Sequence, residues 1–343
     1  TPLTAPELAV LLAYTKIVLA AELLQGELPD DPFLRAKLVR YFPTPMRERY
    51  RDEMVNHPLR REIIVTQVVN ELVNFAGITF FHRLSQETGA TAEELARAHL
   101  VCREIYAADR LLDQINQLDN QVDTKVQTSM RLAVRTLMER ASRWMVNNRR
   151  SPLDSEATVS YFSADIEHVV KALPEVLTGV EAKAFEARRD FLTGRGVPAE
   201  LASEVAALPA AYAELEVVHI AKRDGRDPLE AASVHAVLGE RLGLSELMAK
   251  IVALPREDRW QTMARASLRD DLHAVHAALT AQVLATTDSS LRAEERVAAW
   301  ESDDEAVVTR ATATLIEITS EDTSDLARMS VGLRVVRALL AAP

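Results

Sequence analysis

The stretch Pro58–Ala90 reads PLRREIIVTQVVNELVNFAGITFFHRLSQETGA, and Leu59 to Ala76 within it spells one amphipathic helix. At about 100° per residue, Ile64, Val65, Val68, Val69, Leu72, Val73, Phe75 and Ala76 cover one half of the helical wheel. Arg60, Thr66, Gln67, Asn70, Glu71 and Asn74 fall mainly on the other half. Pro58 stands where a first-turn proline is tolerated, and Gly77 where a helix stops. The polar half is rich in amides, and asparagine competes with the helix for its own hydrogen bonds. Two readings stay open. The face is a solvated surface that drifted to amides, or Asn70 and Asn74, one turn apart, bond a packed neighbour or serve as a docking face.

Outward from this stretch the same texture repeats. Thr4 with Glu7 and Thr91 with Glu94 have the spacing of capping boxes. The first opens a helix whose stripe, Leu8, Leu11, Leu12, Val18, Leu19 and Leu23, ends at Gly26; the second opens a helix to about Ala107. Shorter helices are expected over Phe33–Tyr41 and Met46–Asn56, divided by Pro43 and Pro45. Val126, Met130, Val134, Leu137, Ala141 and Trp144 make a long stripe. Asp258–Thr286 is a second long helix, and Leu326, Met329, Leu333, Val336 and Leu340 mark the last one. Trp144, Trp260 and Trp300 lie on these stripes and read as core or interhelix anchors. The acidic run Glu301, Asp303, Asp304 and Glu305 reads as a helix start, where negative charge is favourable. No segment alternates with period two over the length of a strand.

Composition agrees. Only 10 Gly and 14 Pro occur in 343 residues, too few for a sheet protein with many turns. The fold class expected is all-α, a large multi-helix domain. The polar, aperiodic Ser151–Ser155 marks a division into two helical lobes, 1–150 and 151–343. A net charge of −11 with no basic tract argues against nucleic acid, whose phosphates need clustered Lys and Arg. The single cysteine, Cys102, forms no internal disulfide and reads as a buried, inert thiol. The most apolar run, Leu8–Ala21, is shorter than the roughly 20 residues of a membrane span and contains Lys16. With no signal peptide visible, a soluble cytoplasmic protein away from membranes is expected. A start at Thr1 and not Met suggests a piece of a longer polypeptide or a processed chain.

Motifs for chemistry are scarce. Gly194-Arg195-Gly196-Val197-Pro198-Ala199 fits a dinucleotide-binding fingerprint as letters, but a buried strand must precede that loop. Here the charged helical text KAFEARRDFLT precedes it, so a helix-to-helix turn is expected. His273 and His276, beside Asp270 and Asp271, are spaced for one face of a helix. No third ligand has a suitable local spacing, and surface histidines are the expected reading. Arg269, Asp270 and Asp271 either pair with neighbouring helices in a polar network or form a solvated face. No serine, cysteine or lysine sits in a nucleophile context.

Four segments carry a resemblance: Pro58–Ala90, LTAPELAVLLAYTKI (Leu3–Ile17), YFPTPMRERY (Tyr41–Tyr50) and DRWQTMARASLRDDL (Asp258–Leu272). They resemble the C-terminal region of the large bacterial NAD-specific glutamate dehydrogenases, most densely before Arg150. The resemblance implies a parent that converts L-glutamate, NAD and water to 2-oxoglutarate, ammonia and NADH. Its catalytic domain lies upstream in the same polypeptide and would be this region's partner, and the parent would be a homo-oligomer. NAD then belongs to the parent, and no catalytic, cofactor or metal residue is expected here. The role implied is structural, docking or regulatory; the alternative is a free-standing helical scaffold or regulatory protein with no enzymatic parent.

Overall fold

Pro58–Ala90 folds as two helices meeting at 85°. The computed structural model describes residues 3–320 and 325–341. The first helix, Arg60–Ala76, buries Ile64, Val65, Val68, Val69, Leu72, Val73 and Ala76, the half of the wheel that the sequence marks as apolar. Gly77 ends it at φ +88°, where a side chain is strained, and a Cβ there would stand 2.8 Å from an Arg135 guanidinium nitrogen.

The described residues form nineteen α-helices and three short 3-10 turns, with no strand among them. The first nine helices are α1 Ala5–Gln25, α2 Arg35–Tyr41, α3 Thr44–Arg47, α4 Arg51–Val55, α5 Arg60–Ala76, α6 Phe80–Thr88, α7 Ala92–Ile105, α8 Ala108–Asn116 and α9 Thr124–Asn148. There follow α10 Ser155–Val176, α11 Gly179–Thr193, α12 Ala199–Ala211, α13 Glu214–Arg223, α14 Pro228–Arg241 and α15 Leu244–Ala253. The last are α16 Arg259–Thr286, α17 Ala293–Asp303, α18 Glu305–Ser320 and α19 Leu326–Ala338. None of the described helices alone is long and apolar enough to cross a membrane.

The helices group into two compact units, residues 1–112 with 134–161 and residues 113–133 with 162–343. Ser151–Ser155 lies inside the first unit. In that unit α5 is the central helix, packed by α1 and α2, and its core joins Leu23, Leu34, Leu38, Leu72, Phe80, Leu84 and Leu95. Both expected capping boxes form. In the second, Thr91 N and Oγ1 donate to Glu94 Oε2 at 2.8 and 2.9 Å. In the second unit α14 and α16 pack on each other and on α13 and α17, and α16 also packs on α19.

Several sequence expectations are corrected by packing. Of the α1 stripe only Leu19 and Leu23 are buried; Leu8, Leu11 and Val18 face solvent. Trp144 and Trp300 are buried anchors, but Trp260, in the first turn of α16, is 72% exposed and lies beside the Arg259 guanidinium. Met46–Asn56 breaks into two short helices. Glu301 and Asp303 end α17, whereas Asp304 and Glu305 stand at the start of α18, where the Asp304 carbonyl accepts from Val308 N at 3.1 Å.

Candidate functional site

Candidate residues from the sequence lie in both units. Asn70 and Asn74, in the first unit, are solvent-exposed on α5. Among the described residues neither side chain makes a hydrogen bond. Ion pairs tie that polar half instead: Lys37 Nζ donates to Glu71 Oε2 at 2.6 Å. Arg60 of the same half meets Asp30 at 3.7 Å, and Arg61, on the apolar side of the wheel, also pairs with Asp30 and donates to the carbonyls of Leu24 and Gly26 at the end of α1, at 2.8 and 2.9 Å. In the second unit Arg269 pairs with its neighbour Asp270 at 3.0 Å, both partly buried. Asp271 meets Arg337 of α19 at 3.4 Å, a half-exposed contact of little energetic weight.

The polar group that stands out was not singled out by sequence. Glu214, in the first turn of α13, is buried, and its Oε2 has no hydrogen-bond partner. Burial, and then the Glu181 carboxylate, push its carboxyl up to about 8. A carboxyl so placed keeps its proton at neutral pH, since ionisation without a cation partner is unfavourable. The signal was present in the sequence: Glu214 precedes Val217, Val218 and Ala221 at helical spacing, and all three are buried. An acid on a buried stripe is a conflict that a wheel reveals.

Glu214 borders a cleft of about 70 Å³, also lined by Glu181, His235, Ser245, His273 and His276. That is room for a few water molecules. His235 and His276 stack with ring centroids 3.5 Å apart and planes 20° apart. His276 Nε2 donates to the His235 carbonyl at 2.9 Å. The Thr280 hydroxyl donates to the His276 carbonyl, so its oxygen accepts from His235 Nδ1, each at 2.9 Å. These bonds fix both tautomers and leave His235 Nε2 and His276 Nδ1 as acceptors. Both rings are neutral: burial holds His276 down to about 4, and burial with the neighbouring histidines holds His235 well below its usual value. His273 packs edge-on against Tyr212, 4.8 Å between centroids. His273 and His276 are therefore interhelix groups, not the surface histidines the local spacing suggests. Gly239 of α14 permits the stack, because a Cβ there would lie 2.8 Å from His276 Cε1.

The cleft thus offers a protonated carboxyl and neutral imidazoles, with Ser245 Oγ donating to Glu181 Oε1 at 3.0 Å. Among the described residues no three His, Cys, Asp or Glu are grouped to hold a metal. Cys102 is buried, and burial pushes its thiol up, away from nucleophilic use. Gly194–Gly196 is the turn between α11 and α12, closed by Gly196 N to Thr193 O at 3.0 Å and Val197 N to Leu192 O at 3.1 Å. A helix precedes it, not a strand, so the fingerprint letters build no phosphate loop.

The raised Glu214 carboxyl has a measurable consequence. Its folded-state value of about 8 lies above its ordinary 4.5, so its contribution is fully present below pH 4.5 and lost as pH rises through 8. The histidines act oppositely below their ordinary 6.5. From pH 6.5 to 8 the contribution of Glu214 to the second unit is expected to fall by about 2 kcal/mol. Glu214→Gln should abolish that decline. Denaturant midpoints of both proteins at the two pH values check this; equal declines exclude the assignment.

The comparisons with known proteins are extensive. A family model described as "Glutamate dehydrogenase, C-terminal" matches residues 1–338. The NAD-specific glutamate dehydrogenase of Halomonas elongata is 36% identical over 298 residues, covering 87% of this chain and 18% of that protein. The one from Mycobacterium tuberculosis is 34% identical over 335 residues, 98% of this chain and 20% of that protein. The one from Pseudomonas aeruginosa is 35% identical over 332 residues, 97% and 20%. The chain spans about a fifth of the length of these curated relatives. With nearly every helix inside the matched range, the chain belongs to the glutamate dehydrogenase C-terminal family, the C-terminal region of the large NAD-specific glutamate dehydrogenases.

Proposed function

We propose that this chain acts as the non-catalytic helical region of a large NAD-specific glutamate dehydrogenase. It supports the catalytic part of the polypeptide by docking on it, stabilising it or biasing its conformation. The observation that carries this reading is the match itself: near-complete for this chain, one-fifth for the relatives. The helical surroundings of Gly194–Gly196 support it, because hydride transfer to NAD calls for a dinucleotide site elsewhere in such a polypeptide. In this reading the parent oxidises L-glutamate with NAD, is a homo-oligomer, and works in the cytoplasm without nucleic acid or membrane partners.

The test is truncation. A polypeptide of the relatives' length that carries this sequence is compared with one ending before Thr1, for melting temperature, turnover, Michaelis constants and oligomer size. Coupling through a docked region is typically about 1–3 kcal/mol, a several-fold to hundredfold effect on at least one of these. Four unchanged readings would make the region an autonomous passenger. In parallel, the isolated chain should neither bind NAD by calorimetry nor produce NADH from glutamate.

A further inference from the structure

α1 is apolar on both faces. Leu19 and Leu23 turn onto the core, and the helix packs on α5 and α7. On the other side Val10, Leu11, Tyr14, Ile17 and Val18 are exposed, Tyr14 at 63% and Ile17 at 62%. At about 100° per residue these side chains and Ala21 share an arc about 120° wide. Positions 10, 14, 17 and 21 have the alternating four- and three-residue spacing of a seam that a second apolar surface packs into. The charged residues of α1 are Glu7, Lys16 and Glu22, and none lies on that arc between Val10 and Ala21. Glu7 is engaged at the N-terminus, where its carboxylate accepts from Thr4 N at 2.7 Å. A helix apolar all round is a buried helix, and a continuous apolar stripe of this kind on a soluble surface marks an interface.

Three occupants are conceivable, and the observations separate them. A lipid surface calls for a basic polar face opposite the apolar one, whereas α1 carries one lysine and its opposite face packs on α5. A free second copy meets the stripe only at the protein's own concentration, and a copy held in the homo-oligomer proposed above meets it only if the symmetry sets two α1 helices face to face. In proteins of the relatives' length, about four-fifths of the polypeptide lies outside the matched region, which the family description places C-terminally. α1 is the helix of that region nearest in sequence to the remainder. A tethered surface is present at an effective concentration on the order of millimolar, about a thousandfold above a micromolar second copy. We propose that the outward face of α1 docks against an uncharged apolar surface of the polypeptide preceding this region, burying Val10, Tyr14, Ile17 and Val18. This rests on the reading under Proposed function and names its docking surface.

The test uses the polypeptide of the relatives' length, with Ile17→Glu and Tyr14→Glu set beside the truncation before Thr1. Each glutamate variant is expected to lower the melting midpoint by roughly 4 °C or more, in the direction of the truncation. In the 343-residue chain alone both variants should leave the unfolding midpoint unchanged, since these side chains touch little of its core. A drop there would show that the face belongs to the region's own fold and would overturn the proposal. A benzophenone amino acid in place of Tyr14, in a mixture of isotopically light and heavy protein, supplies the second measurement. Cross-links to residues preceding this region within one polypeptide are expected. Cross-links between light and heavy α1 helices, or none outside this region, refute the proposal. If truncation matters but the glutamate variants are silent, α1 is excluded while the docking reading survives. If truncation itself is silent, both fall.

Discussion

Glu230→Gln will cost the second unit about 3–5 kcal/mol, more than removing its partner Arg296. Arg296 is a fully buried side chain on α17. Its guanidinium pairs with Glu230 in the first turn of α14 and donates to Thr287 Oγ1 at 2.9 Å. It also donates to the Leu284 carbonyl at 2.8 Å, one of the groups that the end of α16 leaves without an intrahelical partner. One cation thus joins the carbonyl end of one helix to an acid at the amide end of another, the arrangement both helix dipoles favour. The two deletions are unequal because burial is unequal. Arg296 has no exposure, while the Glu230 side chain is 32% exposed. Without Glu230 the guanidinium remains buried with no ion-pair partner. Without Arg296, as in Arg296→Met, the carboxylate hydrates and the methionine fills much of the volume, so about 2 kcal/mol is expected. Denaturant midpoints of the two variants decide the order; a Glu230→Gln protein as stable as Arg296→Met would contradict this account.

Phe80→Ala should cost the first unit about 3–5 kcal/mol. Phe80 is fully buried at the start of α6 and stands edge-on to Phe81 and His99, with centroids 5.0 and 5.2 Å apart. The loss combines the transfer of the ring and the cavity left where α5, α6 and α7 pack. His99 sharpens the prediction. It is buried, its Nδ1 lies 3.3 Å from Ser142 Oγ, and its Nε2 has no partner. Burial, then the Arg103 charge, hold it down to about 3. Because that value is depressed from 6.5, its contribution is present above pH 6.5 and is lost as pH falls towards 3. Opening the cavity lets water reach the ring and weakens that acid sensitivity. The destabilisation by Phe80→Ala should therefore be smaller near pH 5 than at pH 7, as midpoints at the two values will show. A difference that grows with acidity would mean that the ring is not what keeps His99 dry.

The division of labour between sequence and tertiary structure can be traced residue by residue. Ile64, Val68 and Leu72 recur at helical spacing, Thr91 and Glu94 cap locally, and Gly77 stops the helix, so α5 and the start of α7 were legible from neighbours within a few positions. The same local text identified Gly194–Gly196 as a turn, because a helix and not a strand precedes it. The family was legible for a related reason: Leu3–Ile17 and Asp258–Leu272 are long specific strings, and such strings survive as patterns without any coordinates.

What periodicity could not say is which apolar face meets protein. On α1 both faces are apolar, and only packing on α5 shows that Leu19 is inside while Val18 is out. Trp260 lies on an apolar stripe, yet falls in a first turn that nothing covers. The functional groups depend still more on distance along the chain. Arg296 and Glu230 are 66 positions apart, and His276 meets the His235 carbonyl across 41. Local spacing, which fixes α-helices because their hydrogen bonds span four residues, carries no information about such pairs. Asn70 and Asn74 show the converse: they belong to a helix face unusual in composition, and both are solvent-exposed. The sequence by itself determined the helices and the kinship. Tertiary packing decided which charges are buried, which histidines are neutral and which apolar face is left uncovered, since desolvation depends on neighbours that arrive from far along the chain.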